Sequence, residues 1–277
     1  MDLDSEIIGL SQWWSTPAGQ YVLGWEQSHL DELVSNIFGF HALQLGCSEL
    51  NALQANRIPH RWLATEGYES ATYHEPSGSV VSLQCDFLEL PFPSQSLDLV
   101  VLPHTLEMTL DPHLALREVE RVLVPEGRVI VLGFNPYSFW GLRQFSGHAL
   151  RRIGLLRDEP SFLPSDEGAF IAYRRLRDWL RLLDFEVDQG RFGCYRLPLS
   201  GPRWLDRMAW MDRAGDRSWP FLGAAYILQG IKRVRGMRLV GLARSKKKLK
   251  ERLKNPLPAP TSRQKLTEDN ANHHKIK

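Results

Sequence analysis

The polar residues best suited to chemistry each follow a short apolar run: Gly46, Glu66, Asp86 and His104. Histidine has a reference pKa near neutrality, so His104 could remove a proton from a hydroxyl or a carbon acid. A carboxylate only accepts hydrogen bonds, so Glu66 and Asp86 suit ligand groups that donate them. Glycine allows a sharp turn and a close approach of a ligand to the main chain. These residue types predict a small-molecule site in which His104 is the candidate base.

Metal and thiol chemistry have less support in the sequence. Cys47, Cys85 and Cys194 form no CxxC pair and are too scattered for a disulfide framework, which favours a reducing compartment. His104 and His113 lie on separate predicted elements, and no Cys or carboxylate completes a ligand set around them. We therefore predict no metal site.

The elements around these residues predict an α/β fold with a doubly wound, mostly parallel sheet and helices on both faces. The run "SLDLVVLPH" (96–104) is apolar almost throughout, as parallel strands buried on both faces require. Asp111 and Pro112 offer an N-cap and a first helical position. The stretch "FHALQLGCSELNAL" (40–53) predicts a strand, a turn and a helix. The other predicted elements are helices at 13–38 and near 167–184, and strands at 41–45, 60–65, 79–84, 128–134, 185–192 and 224–234.

Composition divides the chain into an N-terminal helical segment (1–40), a main domain (41–243) with a helical insertion at 197–221, and a basic tail (244–277). The tail holds 11 of the 34 Lys and Arg residues and 3 of the 32 Asp and Glu residues, so it carries +8 and the remainder 23 − 29 = −6. We predict a disordered tail. Contact with nucleic acid or an anionic membrane surface is the alternative for this tail, but the acidic remainder disfavours nucleic acid.

Targeting signals also bear on the function. The first residues are acidic and lack a signal peptide's positive flank, and no run of about 18 apolar residues predicts a membrane span. We predict a cytoplasmic protein without a membrane span. The sequence leaves the oligomeric state open.

The block from Asp86 to Pro136 resembles the class I S-adenosylmethionine-dependent methyltransferases, and within them the quinone-biosynthesis and other small-molecule enzymes. The likeness lies in the ordered pieces "DFLELPF", "SLDLVV", "HTLE", "DP", "LREVERVL" and "PEGRVIV". The resemblance implies a seven-stranded Rossmann-like sheet, S-adenosylmethionine as cofactor and methyl transfer to a small-molecule acceptor.

The resemblance also implies roles for single residues. Asp86 would accept from the adenine amino group with Phe87 against the ring, and Glu66 would accept from both ribose hydroxyls. Pro103 and His104 would border the donor at the end of the fourth strand, with His104 as the base. The alternatives are a loop-capping Asp86, a solvated Glu66 and a structural turn residue at His104.

The glycine-rich loop departs from the family pattern, which has an acidic residue followed by Gly-x-Gly-x-Gly. Gln44, Gly46, Ser48 and Leu50 stand at these positions, and Cys47 lies between them. Ser48 adds a side chain at the close approach, and Gln44 cannot form a charge-assisted bond to the methionine ammonium. We expect weaker or shifted donor binding, which Ser48→Gly and Gln44→Glu would improve.

Two other function classes remain open at this point. A non-catalytic protein of the same fold could use the crevice for another ligand or a partner. A nicotinamide-dependent oxidoreductase fits the sheet but lacks a glycine-rich fingerprint.

An aromatic acceptor pocket is a further prediction. Asn135, Pro136 and the following "YSFWGLR", with Trp13 and Trp14, could line it, although core packing explains aromatic residues equally well.

Overall fold

The computed structural model describes residues 12–66, 80–152, 170–197, 205 and 207–233. The predicted tail at 244–277 and the first part of the predicted insertion at 197–221 lie outside these residues. No helix within the described ranges is long and apolar enough to cross a membrane.

The sheet has seven strands in the order β3-β2-β1-β4-β5-β7-β6, which confirms the predicted fold class. The pairs among the first five strands are parallel, and β7 runs antiparallel to both β5 and β6. The strand bounds are His41–Leu45 (β1), His60–Thr65 (β2), Val80–Gln84 (β3), Leu97–Pro103 (β4), Leu123–Phe134 (β5), Phe185–Gly193 (β6) and Ala225–Lys232 (β7).

The helices begin where the sequence offers caps. The Thr16 side chain accepts from Gly19 N–H, and the Asp111 side chain accepts from the amides of His113 and Leu114. Both helices have proline in the first turn, where a missing N–H costs no hydrogen bond. The helix bounds are Pro17–Ser35 (α1), Thr105–Met108 (α2), Pro112–Val122 (α3), Phe139–Arg152 (α4), Tyr173–Leu182 (α5) and Trp210–Ser218 (α6), followed by a 3-10 turn at Pro220–Leu222.

The helix predicted after the Gly46 turn is wrong, because residues 46–59 form turns and irregular backbone instead. The buried Gln44 side chain explains the difference. Its Nε2 donates to the carbonyls of Gly46, Cys47 and Leu50, and its Oε1 accepts from Ala52 N–H. These bonds satisfy the backbone groups of the turn without a helix.

Helices cover both faces of the sheet. On one face, Leu30 and Val34 of α1 pack in a cluster with Ala42 and Leu99. On the other face, buried residues of α3 and α5 pack against β4 and β5. Because β1 lies between β2 and β4, the order of the sheet reverses at this point, and the crevice beyond the carboxyl ends of β1 and β4 is the expected ligand site.

Candidate functional site

Glu66 and Asp86 lie together on one cavity. The parallel pairing of Thr65 with Gln84 brings the ends of β2 and β3 level, so both carboxylates emerge at the same edge. The cavity measures about 420 Å³. It is lined by Glu66, Gln84, Cys85, Asp86, Leu88, Thr109 and Leu110.

Each of these carboxylates also accepts a local hydrogen bond. Glu66 Oε1 accepts from the Phe87 N–H at 3.0 Å, and Asp86 Oδ1 accepts from the Leu88 N–H at 2.7 Å. Burial raises the pKa of the Glu66 carboxyl, against the lowering effect of the Phe87 N–H. Asp86 is therefore a loop cap that also faces the cavity, so these two interpretations are compatible.

The Gly46 turn lies at the centre of the crevice. Gly46 has φ = 73°, a left-handed conformation that favours glycine, and a Cβ there would lie 3.4 Å from Thr105 Oγ1. The Phe87 ring is the next neighbour, with Cε2 at 3.7 Å. Phe87 is buried in the core beside this turn and does not line the cavity near Asp86, so its ring is less open to a ligand than predicted.

The loop residues lie differently from the family pattern. Gln44 directs its amide into the turn, so the predicted contact of this side chain with the methionine ammonium does not fit its position. Burial raises the pKa of the Cys47 thiol well above its usual range, and the Glu49 and Glu26 carboxylates add to this. Ser48 is partly buried on the same turn.

His104 is enclosed rather than open to the crevice. It follows the buried Pro103, has φ = 55° and is 1% exposed. Its Nε2 lies 2.8 Å from Glu26 Oε1, and its Nδ1 lies 3.0 Å from Glu107 Oε2. Burial alone would lower its pKa, but the two carboxylates outweigh this and raise the pKa of His104 to about 10.

The expected role of His104 as a base is therefore corrected. A protonated imidazole whose two nitrogens both contact carboxylates cannot take a proton from an acceptor near neutral pH. The alternative of a structural residue fits better, although its partners are side chains rather than backbone groups.

Glu26 was missed by the sequence interpretation. It lies on α1 with no exposed surface, on the face that also buries Val22 and Leu30. A glutamate spaced four residues from apolar neighbours on both sides is the signal that could have identified it.

A second cavity, of about 580 Å³, lies beyond the end of β5. Asn135 holds the backbone beside two lining residues, Leu222 and Tyr137. Its Nδ2 donates to the carbonyls of Phe221 (2.8 Å) and Gly223 (2.9 Å), and its Oδ1 accepts from Tyr137 N–H (3.1 Å). The wall is mostly apolar and includes Pro136, Tyr137, Phe139, Leu142, Phe145 and Phe170.

The predicted aromatic residues thus divide into two groups. The residues after β5 line the second cavity, whereas Trp13 and Trp14 are buried in the core beside Phe134, with ring centroids 5.3 and 6.4 Å from it. Trp140 is also buried, and its Nε1 donates to the Arg196 carbonyl.

Comparison with known proteins agrees with this architecture. A family described as "Methyltransferase domain" matches residues 43–131. The uncharacterized protein YafS of Escherichia coli K12 is 33% identical over 183 residues, which cover 65% of this chain and 67% of that protein. The UbiE protein of Cronobacter sakazakii, named as a ubiquinone/menaquinone biosynthesis C-methyltransferase, is 33% identical over 109 residues. The match covers 38% of this chain and 40% of the UbiE protein.

Solved structures share the fold at low identity. A Thermotoga maritima S-adenosylmethionine-dependent methyltransferase, described as a possible histamine N-methyltransferase, has a TM-score of 0.54 and 17% identity over 80% of this chain and 94% of its own. A structure from Haloferax volcanii, described as a complex between the Trm112 methyltransferase activator and the putative methyltransferase, has a TM-score of 0.52 and 17% identity. The match covers 76% of this chain and 90% of that chain. The chain belongs to the class I methyltransferases, whose methyl donor is S-adenosylmethionine.

Proposed function

We propose that the protein methylates a small, largely apolar acceptor that occupies the cavity beyond β5. The observation that carries this proposal is the composition of that cavity: its described lining residues include four aromatic rings and no acidic or basic side chain. Such a wall favours an apolar ligand and excludes water from it.

The residues around the Gly46 turn fit the donor. Two carboxylates on one cavity match a nucleoside, because its amino group and ribose hydroxyls all donate hydrogen bonds. In this proposal Asp86 accepts from the adenine amino group and Glu66 from the ribose hydroxyls. Gly46 allows close approach to the backbone of Cys47 and Ser48. The bound donor supplies a methyl group on a positively charged sulfur.

The sheet order supports a donor that lies across the crevice. The cavity at Glu66 and Asp86 adjoins β2 and β3, whereas the apolar cavity adjoins β5. β1 and β4 lie between them. At about 4.8 Å per strand, β2 and β5 are roughly 15 Å apart. An extended donor would therefore point from the first cavity toward the second over the ends of β1 and β4.

The chain's own contribution to the chemistry is mainly alignment. Holding two reactants in line removes much of the entropic barrier to a bimolecular step. His104 is protonated near neutral pH, so we assign it no part in activating the acceptor. The acceptor atom must then be nucleophilic without this residue's help.

The named relatives suggest one acceptor class. The Cronobacter sakazakii protein is named for ubiquinone and menaquinone biosynthesis, and an aromatic, apolar acceptor of that kind suits a wall formed by Tyr137, Phe139 and Phe145.

The experiment that tests the proposal uses S-adenosylmethionine labelled in its methyl group. The full chain is incubated with the label and either apolar phenols and quinols or polar amines and carboxylates. We expect label to enter an organic extract with the apolar set, and Leu142→Glu to abolish this by placing a charge in the wall. Transfer to the polar set alone would contradict the acceptor class.

A further inference from the structure

Two buried polar atoms without a hydrogen-bond partner flank His104. Within the described part of the chain, Glu26 Oε2 and Trp14 Nε1 are both shielded from solvent and unpaired. The other oxygen of Glu26 lies 2.8 Å from His104, and the Trp14 ring centroid lies 5.4 Å from that of His104. Buried unpaired polar groups are costly and rare, so a pair of them in one place indicates a missing ligand.

The hydrogen bonds of the cluster leave one acceptor atom for a ligand group that donates. His104 uses both of its ring nitrogens on this pair, one on an oxygen of Glu26 and one on an oxygen of Glu107. Glu107 has a second partner, because its Oε1 accepts from the Phe134 N–H at 2.8 Å. Glu26 has none at Oε2. The acceptor site that remains in this buried cluster is therefore on Glu26.

The cluster adjoins the Gly46 turn. Glu26 is close enough to contribute to the raised pKa of the Cys47 thiol, and Thr105, the residue after His104, lies beside Gly46. This is the turn whose family pattern begins with an acidic residue. Gln44 occupies that position, but its amide is used within the turn. A carboxylate thus lies next to the place where one is lacking, supplied by α1 instead of β1.

We propose that Glu26 Oε2 accepts a hydrogen bond from the methionine ammonium of the donor, and that Trp14 Nε1–H donates to its carboxylate. An amino-acid group carries one cation and one anion, which matches one unpaired acceptor and one unpaired donor. This assignment depends on the proposed function. Because neither atom contacts solvent, the amino-acid end enters while the segment carrying Trp14 is displaced from His104.

The test compares two ligands by calorimetry. S-Adenosylhomocysteine has the amino-acid group, and 5′-methylthioadenosine shares the nucleoside and thioether without it. Glu26→Gln should lower the affinity for S-adenosylhomocysteine about tenfold or more, which is the effect of losing a charge-assisted hydrogen bond. The affinity for 5′-methylthioadenosine should stay unchanged. Glu107→Gln, which alters the same cluster but not the unpaired oxygen, should keep the wild-type ratio of the two affinities. Glu49→Gln removes a rival carboxylate from the turn and should also keep it.

Each other outcome is informative. A wild-type ratio in Glu26→Gln, or a ratio lost in Glu49→Gln instead, overturns the assignment. Wild-type protein that binds neither ligand overturns the donor site itself. If Glu26→Gln does not fold, Trp14→Phe replaces it, because phenylalanine keeps a ring but lacks the N–H. This variant should weaken S-adenosylhomocysteine alone, and equal weakening of both ligands would contradict the proposal.

Discussion

Gln44 Nε2 lies 2.7 Å from the carbonyl oxygen of Leu50 and 2.8 Å from that of Cys47. A side chain at the position of the family's acidic residue therefore holds the turn together from within. The Gln44 amide both donates and accepts here. A carboxylate in its place would direct an oxygen that cannot donate at the carbonyl oxygens of Cys47 and Leu50.

Gln44→Glu should accordingly destabilise the protein by about 2 kcal/mol or more, since buried carbonyls lose their donor. Urea unfolding measures this, and Ser48→Gly on the same turn is the control, expected to change stability by less than about 1 kcal/mol. This geometry does not fit the expectation from the sequence that Gln44→Glu tightens donor binding, because the side chain bonds within the turn. An equally stable Gln44→Glu with higher donor affinity would show that the turn rearranges.

Asp86 allows its two roles to be separated. Asp86→Asn keeps an oxygen to accept from the Leu88 N–H but replaces the other oxygen with an NH₂ group. We expect wild-type stability and S-adenosylhomocysteine affinity reduced by about 1 to 3 kcal/mol, measured by calorimetry. Asp86→Ala should lower both the stability of the protein and its affinity for S-adenosylhomocysteine. Unchanged affinity in Asp86→Asn would leave Asp86 as a loop cap alone.

Asn135 should affect the acceptor but not the donor. Asn135→Ala removes bonds to Phe221, Gly223 and Tyr137, which costs about 1 to 3 kcal/mol of stability and loosens the backbone that positions the lining residues Leu222 and Tyr137. Methyl transfer to an apolar acceptor should fall while calorimetry shows wild-type S-adenosylhomocysteine binding. A parallel loss of donor binding would mean that the two cavities are not independent.

His104 should make stability depend on alkaline pH. Its pKa is about 10 in the folded chain against a usual 6.5, so the folded state holds the proton more tightly. The contribution to stability is complete below about pH 6.5 and is lost as the pH rises through about 10. Between about pH 7 and 10, the free energy of unfolding measured in urea should fall more steeply with pH in the wild type than in His104→Gln.

The thiols of Cys47 and Cys194 have raised pKa values and also reduce stability at high pH, but they do so in both proteins. The difference between wild type and His104→Gln therefore isolates the imidazole. Identical slopes would show that His104 is not held protonated by Glu26 and Glu107.

Local signals made much of the fold predictable. The apolar run that became β4 and the Asp111-Pro112 start of α3 lie within a few residues of their predicted bounds, because burial and capping are encoded in adjacent residues. The helix after Gly46 was not predictable in this way, since one side chain, Gln44, replaced the usual backbone bonds. The site depended on distant pairs: Glu26 and His104 are 78 residues apart, and no local pattern joins them.

The matched methyltransferase block begins at residue 43, whereas α1 ends at Ser35 and shares its buried side with β1 and β4. The boundary of family similarity therefore falls inside one folding unit. A chain trimmed to the matched block would expose Leu99 to water and leave the imidazole of His104 with a single carboxylate. Relatives that share only this block can differ in the segment before it. They can then also differ in the side chains, such as Glu26, that α1 brings to His104.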